Sequence, residues 1–419
     1  PGAAEGIPAP TPRAPVAVPP DGPPATDPEI VALMADVRAL RLLGDVERLV
    51  GFGTRHALSA ADDPRRGVGA ARAWIQADLE RSAGAGGAQV QVELEPFTLD
   101  FANRRTTQHN VVATLPGIGT PKRLVYLTAH YDSRADDVAD GAADAPGADD
   151  DASGVAVLLE LVRVMSRRQW DATLRFVAFA AEEPGLKGSR FHAPAAAALG
   201  LPIVAVLNND IVGGTAGAAG QADAARVRVF SADPDDGPSR RLARHAALVA
   251  ARYGLLEVVV VPRADREGRG GDHQPFSDAG FAAIRLIAAE EDMGRQHNAR
   301  DTVDRIDADY LGAVARLNLA LAANLALAPP APAGPPRIAV AADRPGAVRL
   351  AWDAVPDARV AGYWVAVREA GAPLYGRTIW SPAADGLVVD AVGAGARFAV
   401  AAADDHGHIS LFGPEAVHP

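Results

Sequence analysis

The stretch RLVYLTAHYDS at residues 123–133 decides the fold, because a strand ends there in residues that can bind a metal. Its apolar and aromatic first half predicts a buried β-strand, and His130 and Asp132 follow directly. The next segment, RADDVADGAADAPGADDDASG (134–154), adds a run of carboxylates. The segment GVAVLLELVRVMSRR (154–168) then predicts a buried helix, since apolar residues occupy most of its faces. A strand, an acidic loop and a helix in this order indicate an α/β unit.

The same alternation of strands and helices extends to both sides of this unit. Helical spacing recurs at 28–52, 67–82, 238–253 and 308–327, and strand patterns recur at 89–99, 110–115, 173–180, 203–209, 226–232, 256–261 and 281–288. Strands that alternate with helices predict a mostly parallel sheet covered on both faces. The expected fold is therefore a three-layer α/β/α domain with a mixed sheet.

Polar residues cluster where the predicted strands end. In an open α/β sheet these carboxyl ends meet at one edge, where binding sites form. Carboxylates gathered there repel one another, so one or two divalent cations are the simplest way to neutralise them. The alternative is a set of unrelated polar loops, but that does not explain why every charged group falls at the same kind of place. The residues concerned are His130, Asp132, Asp149–Asp151, Glu182, Glu183, Asp210 and His297.

Composition excludes several classes of function. The 419-residue chain has no cysteine, which excludes thiol catalysis, zinc fingers and disulfides. Its net charge of −11 argues against a nucleic-acid partner. The HExxH, GxSxG and Walker A motifs are absent from the sequence. No apolar run reaches the length of about 18 residues that a membrane span needs, so no transmembrane segment is expected.

Proline-rich segments divide the chain. Residues 1–28 read as a disordered Pro/Ala-rich lead, 29–328 as the α/β domain and 329–337 as a linker. Residues 338–419 read as short strands of an all-β sandwich, and Trp352 and Tyr363 give it a resemblance to a fibronectin type III domain, whose binding partner is left open. A lead without an initiator Met fits either a cleaved signal peptide or a sequence that simply starts inside a longer chain. On the first interpretation, a periplasmic or secreted location in a bacterium is expected.

Six motifs in order closely resemble the co-catalytic di-zinc exopeptidases typified by bacterial leucyl aminopeptidase, aminopeptidase Y and glutamate carboxypeptidase. The likeness covers about residues 40–328, and the last motif departs from the family by carrying Asn298 after His297. The motifs are TAHYDS, PGADDDASGVAVLLELVRVM, TLRFVAFAAEEPGLKGS, VLNNDIVG, GDHQPF and HNARDTVDRID.

This resemblance implies a role for each polar residue. Asp150 would bridge two zinc ions, His130 and Asp210 would complete one site, and Glu183 and His297 the other. Asp132 would orient His130, and Glu182 would act as the general base. The resemblance also implies a cis peptide bond between Asp150 and Asp151.

The resemblance implies a zinc-dependent exopeptidase acting on peptides, and the acidic site favours an aminopeptidase. A carboxypeptidase, a glutaminyl cyclase with one zinc and a non-catalytic binding protein on the same fold remain alternatives. A solvated mobile loop is the expectation for Arg263, Arg266 and Arg269, although these residues could bind a substrate carboxylate. Glu290 and Glu291 are expected near the substrate amine. Gly271 stands where relatives carry a serine, and Asp272 and His273 have either a substrate-binding or a structural role.

Overall fold

The structure is a computed structural model that describes residues 25–86, 89–120, 122–232, 234–382 and 385–419. Most of the predicted disordered lead, residues 1–24, lies outside the described residues. The helices are α1 Pro28–Ala35, α2 Ala39–Val50, α3 Val68–Gly86, α4 Ser153–Met165, α5 Lys187–Ala198, α6 Pro238–Arg252, α7 His273–Asp278 and α8 Ala308–Leu327.

Eight strands of the first part of the chain form one mixed sheet. They are β1 Gln91–Phe101, β2 Arg104–Leu115, β3 Leu124–His130, β4 Thr173–Phe179, β5 Ile203–Asn209, β6 Arg226–Ser231, β7 Glu257–Val261 and β8 Ala283–Ala288. Their order across the sheet is β1-β2-β4-β3-β5-β8-β6-β7. The central neighbours β4, β3, β5 and β8 run parallel, so their carboxyl ends reach the same edge. The predicted mixed, centrally parallel sheet is confirmed.

Strand β3 lies in the middle of the eight-stranded sheet, and each of its seven residues is buried. Val125 and Leu127 face one layer, which includes helices α4, α6 and α8. Tyr126 faces the other, where it meets α7 through Phe276. Alternation of side chains along a strand distributes one apolar run between the two faces. The expected three layers follow from this packing.

Three features of the helices differ from the sequence prediction. The spacing at 28–52 predicts one helix, but the chain breaks into α1 and α2, where Arg38 adopts an extended conformation and its N–H donates to Glu160 of α4 at 2.7 Å. Helices α5 and α7 had no predicted counterpart, because a proline interrupts α5 and α7 has only six residues.

Helix α8 is long and apolar enough to cross a membrane, although no such segment is expected from the sequence. In the structure, 83% of its most apolar 18-residue stretch is buried inside the protein.

The last part of the chain forms two separate antiparallel sheets, which confirms the all-β fold class. Val348 and Leu350 of one sheet pack against Val365 and Val400 of the other. The resemblance to a fibronectin type III domain and the domain boundaries remain predictions. The strands are β9 Arg337–Val340, β10 Val348–Ala351, β11 Gly362–Arg368, β12 Arg377–Pro382, β13 Gly386–Val389, β14 Arg397–Ala403 and β15 Ala416–Val417.

This β-sandwich packs directly on helix α6. Leu248 of α6 joins the cluster that contains Trp364 and Phe412. Below it, Arg244 of α6 and Arg368 of β11 share the carboxylate of Glu415, and all three side chains are fully buried. The sandwich therefore shields part of the α/β domain from water.

Candidate metal centre

The structure brings the predicted ligands together at the carboxyl edge of the parallel strands. His130 is the last residue of β3, Glu183 follows β4 and Asp210 follows β5. His297 comes from the loop after β8, and Asp150 from the turn that precedes α4. All of these side chains except His130 line one cavity of about 640 Å³, together with Glu182. His130 is buried beneath the cavity and contacts Asp150 and Asp210.

Asp150 lies at the centre of the cluster, and its two carboxylate oxygens face different neighbours. Oδ1 of Asp150 lies 3.2 Å from Nε2 of His130. The same His130 nitrogen lies 3.7 Å from Oδ1 of Asp210. Oδ2 lies 3.1 Å from Nε2 of His297, which is 3.3 Å from Oε2 of Glu183. One carboxylate thus connects two groups of donors, each with one imidazole nitrogen and one further carboxylate.

The backbone around Asp150 is fixed by long-range hydrogen bonds. The bond between Asp150 and Asp151 is cis, as the resemblance implies. The carboxylate of Asp301 accepts from the N–H groups of Asp149 at 2.9 Å and Asp150 at 3.0 Å. Gly147 adopts a φ of +53°, and a Cβ there would lie 2.5 Å from the carbonyl oxygen of Asp150. Arg55, fully buried, donates to the carbonyl of Gly147 at 2.8 Å. These contacts hold the turn in one position.

Asp132 positions the loop after β4 as well as His130. Its carboxylate accepts from the N–H groups of Glu182 at 3.0 Å and Glu183 at 3.2 Å. The same carboxylate lies 3.5 Å from Nδ1 of His130, while the Asp132 carbonyl oxygen lies closer to that nitrogen, at 3.1 Å. Asp132 therefore fixes the position of the His130 imidazole relative to the backbone of both glutamates.

Asp151 has a role that the sequence did not indicate. Its carboxylate accepts from the N–H of His130 at 3.1 Å and from the N–H of Gly154, in the first turn of α4, at 2.9 Å. It also lies within 4.8 Å of the donor atoms of His130 and Asp210, so it could complete a metal-binding group there. Because backbone donors already use both of its oxygens, we assign Asp151 to holding β3 against α4.

The donor set fits zinc. Imidazole nitrogen and carboxylate oxygen are both zinc ligands, and a catalytic zinc keeps an open position for water or substrate. Among the described residues, Oε1 of Glu183 is buried without a hydrogen-bond partner. Burial raises the pKa of Glu183 well above its usual range, and the nearby charges of Asp150 and Glu182 raise that pKa further. Buried acceptors that repel one another are what a bound cation would satisfy.

A protein cation already lies against the second donor group. Nη2 of Arg269 lies 2.9 Å from Nε2 of His297 and 4.0 Å from Oδ2 of Asp150. The guanidinium thus lies against two of the three donor groups that would hold a metal at this position, and it acts as a stand-in for such a cation.

The expectations for the rest of the 263–270 loop need correction. Arg269 lines the cavity, whereas Arg266 is largely buried and pairs with Glu291, so this part of the loop is anchored rather than solvated. Glu291 is also bound by Arg228, and Glu290 accepts from Gln221. Neither glutamate lines the cavity, so the prediction that they lie near a substrate amine is wrong.

The GDHQPF motif packs under the site. Asp272 and His273 are fully buried and do not line the cavity. Asp272 accepts from the hydroxyl of Ser189 at 2.5 Å, and Nε2 of His273 lies 2.6 Å from the carbonyl of Ala264. A Cβ at Gly271 would lie 3.1 Å from Cδ of Arg285, so this arginine leaves little room for the serine that relatives carry. These contacts favour a structural role for Asp272 and His273 over a substrate-binding role.

Arg285 is the functional neighbour that sequence reasoning missed. It lies on β8, is almost fully buried and places Nη2 at 2.9 Å from Oδ1 of Asp210. Nη1 of Arg285 lies 2.7 Å from Oδ2 of Asp265. The signal was available, because a single arginine in the middle of the apolar run FAAIRLIA needs a buried partner.

Residues 110–322 match the model of peptidase family M28. A probable zinc metalloprotease of Pyricularia oryzae is 40% identical over 338 residues, which cover 73% of this chain and 67% of that protein. A probable zinc metalloprotease of Leptosphaeria maculans is 35% identical over 383 residues, which cover 84% of this chain and 88% of that protein.

Solved structures with the same fold include LapB from Legionella pneumophila, with a TM-score of 0.59, 23% identity and coverage of 71% of this chain and 75% of LapB. An aminopeptidase from Aneurinibacillus sp. strain AM-1 has a TM-score of 0.54 and 19% identity, with coverage of 71% and 96%. A glutaminyl cyclase from Porphyromonas gingivalis has a TM-score of 0.51 and 21% identity, with coverage of 68% and 97%. At these identities the likeness concerns the fold.

Proposed function

Because the chain belongs to peptidase family M28, a family of zinc-dependent peptidases, we propose that it is an aminopeptidase, which removes N-terminal residues from peptides at a centre of two zinc ions. The observation that supports two ions is the division of the Asp150 carboxylate between two donor groups. His130 and Asp210 would hold one ion, Glu183 and His297 the other, and Asp150 both. Zinc held there would lower the pKa of a bound water toward neutrality and polarise the scissile carbonyl.

Glu182 is suited to be the general base. Its carboxylate lines the cavity and makes no hydrogen bond or ion pair with another side chain among the described residues. The backbone N–H of Glu182 donates to the Asp132 carboxylate, which fixes the main chain at this position. Glu182 would accept a proton as water attacks the amide carbonyl and donate that proton to the leaving amine.

The acidic floor of the cavity supports recognition of a free α-amine. Four carboxylates line it, those of Asp150, Glu182, Glu183 and Asp210. A substrate amine can pair with a carboxylate oxygen of this floor that the metal ions leave free. An acetylated amine would lose that pairing and leave the carboxylate without a partner.

Two measurements test the proposal: the number of zinc ions bound per chain, and the rates of cleavage of substrates with a free and with an acetylated α-amine. Calorimetric titration of the chelated protein should show two zinc ions per chain, and zinc should raise the temperature of unfolding because it binds only the folded state. Asp150→Asn should reduce binding at both positions. Alanyl 4-nitroanilide should be cleaved by the zinc-loaded protein, and its N-acetyl form should be nearly inert.

Other results would contradict the proposal in different ways. One tightly bound zinc with cyclisation of N-terminal glutaminyl peptides would support a glutaminyl cyclase instead. Equal cleavage of the free and acetylated substrates would rule out amine recognition, and release of C-terminal residues would favour a carboxypeptidase. Zinc binding without any turnover would indicate a binding protein on the same fold.

A further inference from the structure

The cavity over the metal centre has an unusual lining for a site that binds apolar residues. Of the described side chains that line it, only Leu186 is apolar, and no Phe, Tyr or Trp is among them. Pockets for apolar groups are lined mainly by hydrophobic and aromatic side chains. The lining therefore does not favour a large apolar substrate residue.

Four arginines line the same cavity, and they differ in how firmly they are held. Arg285 is bound by Asp210 and Asp265, and Arg269 contacts Gln296 and His297. These two are occupied by protein groups. The other two, Arg134 and Arg190, are available to a ligand.

Arg134 has only one distant partner. Its Nε lies 3.8 Å from Oε2 of Glu183, and this buried nitrogen has no hydrogen-bond partner among the described residues. Arg190, in the first turn of α5, has an exposed side chain that forms no ion pair or hydrogen bond with any described side chain. Arg134 approaches from the segment after β3, and Arg190 from the segment after β4, beside Leu186.

The lining would become net positive when metal binds. The four carboxylates and the four guanidinium groups of the lining balance. Two divalent cations would therefore leave a net positive cavity, in which the ligand carboxylates are neutralised and the free guanidinium groups are not. Such a cavity attracts anions, and guanidinium groups bind carboxylates through paired, charge-assisted hydrogen bonds.

We propose that Arg134 and Arg190 bind a carboxylate of the substrate, so that the enzyme prefers peptides with an acidic group beside the scissile bond. This inference rests on the proposed aminopeptidase function. The carboxylate is either the side chain of an N-terminal glutamate or aspartate, or the terminal carboxylate of a dipeptide. In both cases the α-amine would meet the acidic floor of the cavity, and the carboxylate would meet the two arginines on its wall.

Isosteric substrate pairs test the preference in the zinc-loaded, full-length protein. Glutamyl 4-nitroanilide should have a kcat/KM at least about tenfold above that of glutaminyl 4-nitroanilide if a side chain is bound. Alanylglycine should exceed alanylglycinamide by a similar factor if a terminal carboxylate is bound. A ratio near one in both pairs would overturn the inference, even if the neutral substrates are cleaved well.

Variants assign the effect to the arginines. Arg190→Gln should reduce the ratio of kcat/KM for the acidic substrate to that for its neutral partner about tenfold, while the protein still binds two zinc ions. Arg190→Glu should reverse the preference, so that lysyl 4-nitroanilide becomes a better substrate than glutamyl 4-nitroanilide. Arg105→Gln is the matched control, because Arg105 is exposed and lies outside the cavity lining. An unchanged preference in both Arg190 variants would contradict the assignment.

Direct binding separates failure of this inference from failure of the proposed function. If no aminoacyl substrate is cleaved, the aminopeptidase proposal fails, but calorimetry on the zinc-loaded protein still tests the arginines. L-Glutamate should bind at least about tenfold more tightly than L-glutamine, or alanylglycine than its amide, and Arg190→Gln should remove the difference. Equal affinities in both pairs would overturn the carboxylate site.

Discussion

Nη2 of Arg285 lies 2.9 Å from Oδ1 of Asp210, and both side chains are almost fully buried. Burial alone would raise the pKa of Asp210, but the Arg285 guanidinium holds that pKa below its usual range. The arginine also pairs with Asp265, so it is anchored from two sides. Arg285 thus keeps the Asp210 carboxylate ionised and directed toward His130.

Replacement of Arg285 should weaken zinc binding at the His130 group. Changes at residues that orient metal ligands reduce metal affinity about 10- to 100-fold, and Arg285→Met should fall in this range as measured by competition with a chelator. Arg285→Lys should retain part of the affinity, because it keeps the charge but loses the second hydrogen bond.

The matched control for this prediction is another fully buried arginine with carboxylate partners. Arg244→Met, which removes pairs with Asp235 and Glu415 far from the cavity, should lower stability but leave zinc affinity unchanged. Equal loss of zinc affinity in the Arg244 and Arg285 variants would show that the effect is one of general stability.

Glu182→Gln should separate chemistry from metal binding. The amide has the same shape but cannot accept the proton, so kcat should fall by at least about 10²- to 10⁴-fold. Two zinc ions should still bind, because neither donor group includes this side chain. A Glu182→Gln variant with nearly normal turnover would place the base elsewhere, and a loss of zinc would make Glu182 a ligand.

Much of the fold could be predicted, because it depends on local pattern. Strand β5 and helix α8 have the predicted bounds, since Pro202 precedes the strand and Asp307 caps the start of the helix. The rule that sites form at the ends of parallel strands was sufficient to place His130 and Asp210 at one edge. The prediction of a single helix at 28–52 failed because the hydrogen bond from Arg38 reaches Glu160, which is 122 residues away.

The residues that support the site were not predictable in the same way. Asp301 holds the backbone of Asp149 across 152 residues, and Arg55 reaches Gly147 across 92. No periodicity or spacing relates such pairs, so only the folded chain shows them. Arg285 differs, because a charge inside a buried strand indicates that a partner exists, although not which one.

His245 should make the protein less stable in acid. It is fully buried on α6, and burial lowers its pKa to about 3, only partly opposed by the backbone of Ser410. An unfolded histidine titrates near a pKa of about 6.5, so the unfolded state binds one more proton than the folded state between these values. Stability is therefore lost as the pH falls from about 6.5 toward 3.

Thermal unfolding at fixed zinc concentration measures this effect. His245→Gln should reduce the pH dependence of unfolding by about one proton between pH 6.5 and 4. His406→Gln, which removes an exposed histidine of the sandwich, is the control for loss of an imidazole. An identical pH dependence in wild type and His245→Gln would show that His245 gains a proton in the folded protein.

The β-sandwich should contribute stability rather than ligands. Every proposed zinc ligand precedes the linker, so a chain that ends near Pro330 should still bind zinc and cleave small substrates. The packing against α6 makes reduced stability an added expectation, because truncation exposes Leu248 and leaves Arg244 without Glu415. Loss of the apolar contacts of Leu248 with the sandwich should make the truncated chain unfold at a lower temperature.

A point variant tests the same interface in the full chain. Glu415→Gln removes the carboxylate that Arg244 and Arg368 share and should lower the unfolding temperature, although Asp235 still pairs with both arginines. Asp353→Asn is the control, since its pair with Arg337 is exposed and such pairs contribute about 0–1 kcal/mol. Zinc affinity should be unchanged in both variants. A loss of zinc in Glu415→Gln or in the truncated chain would instead mean that the sandwich shapes the metal centre through α6.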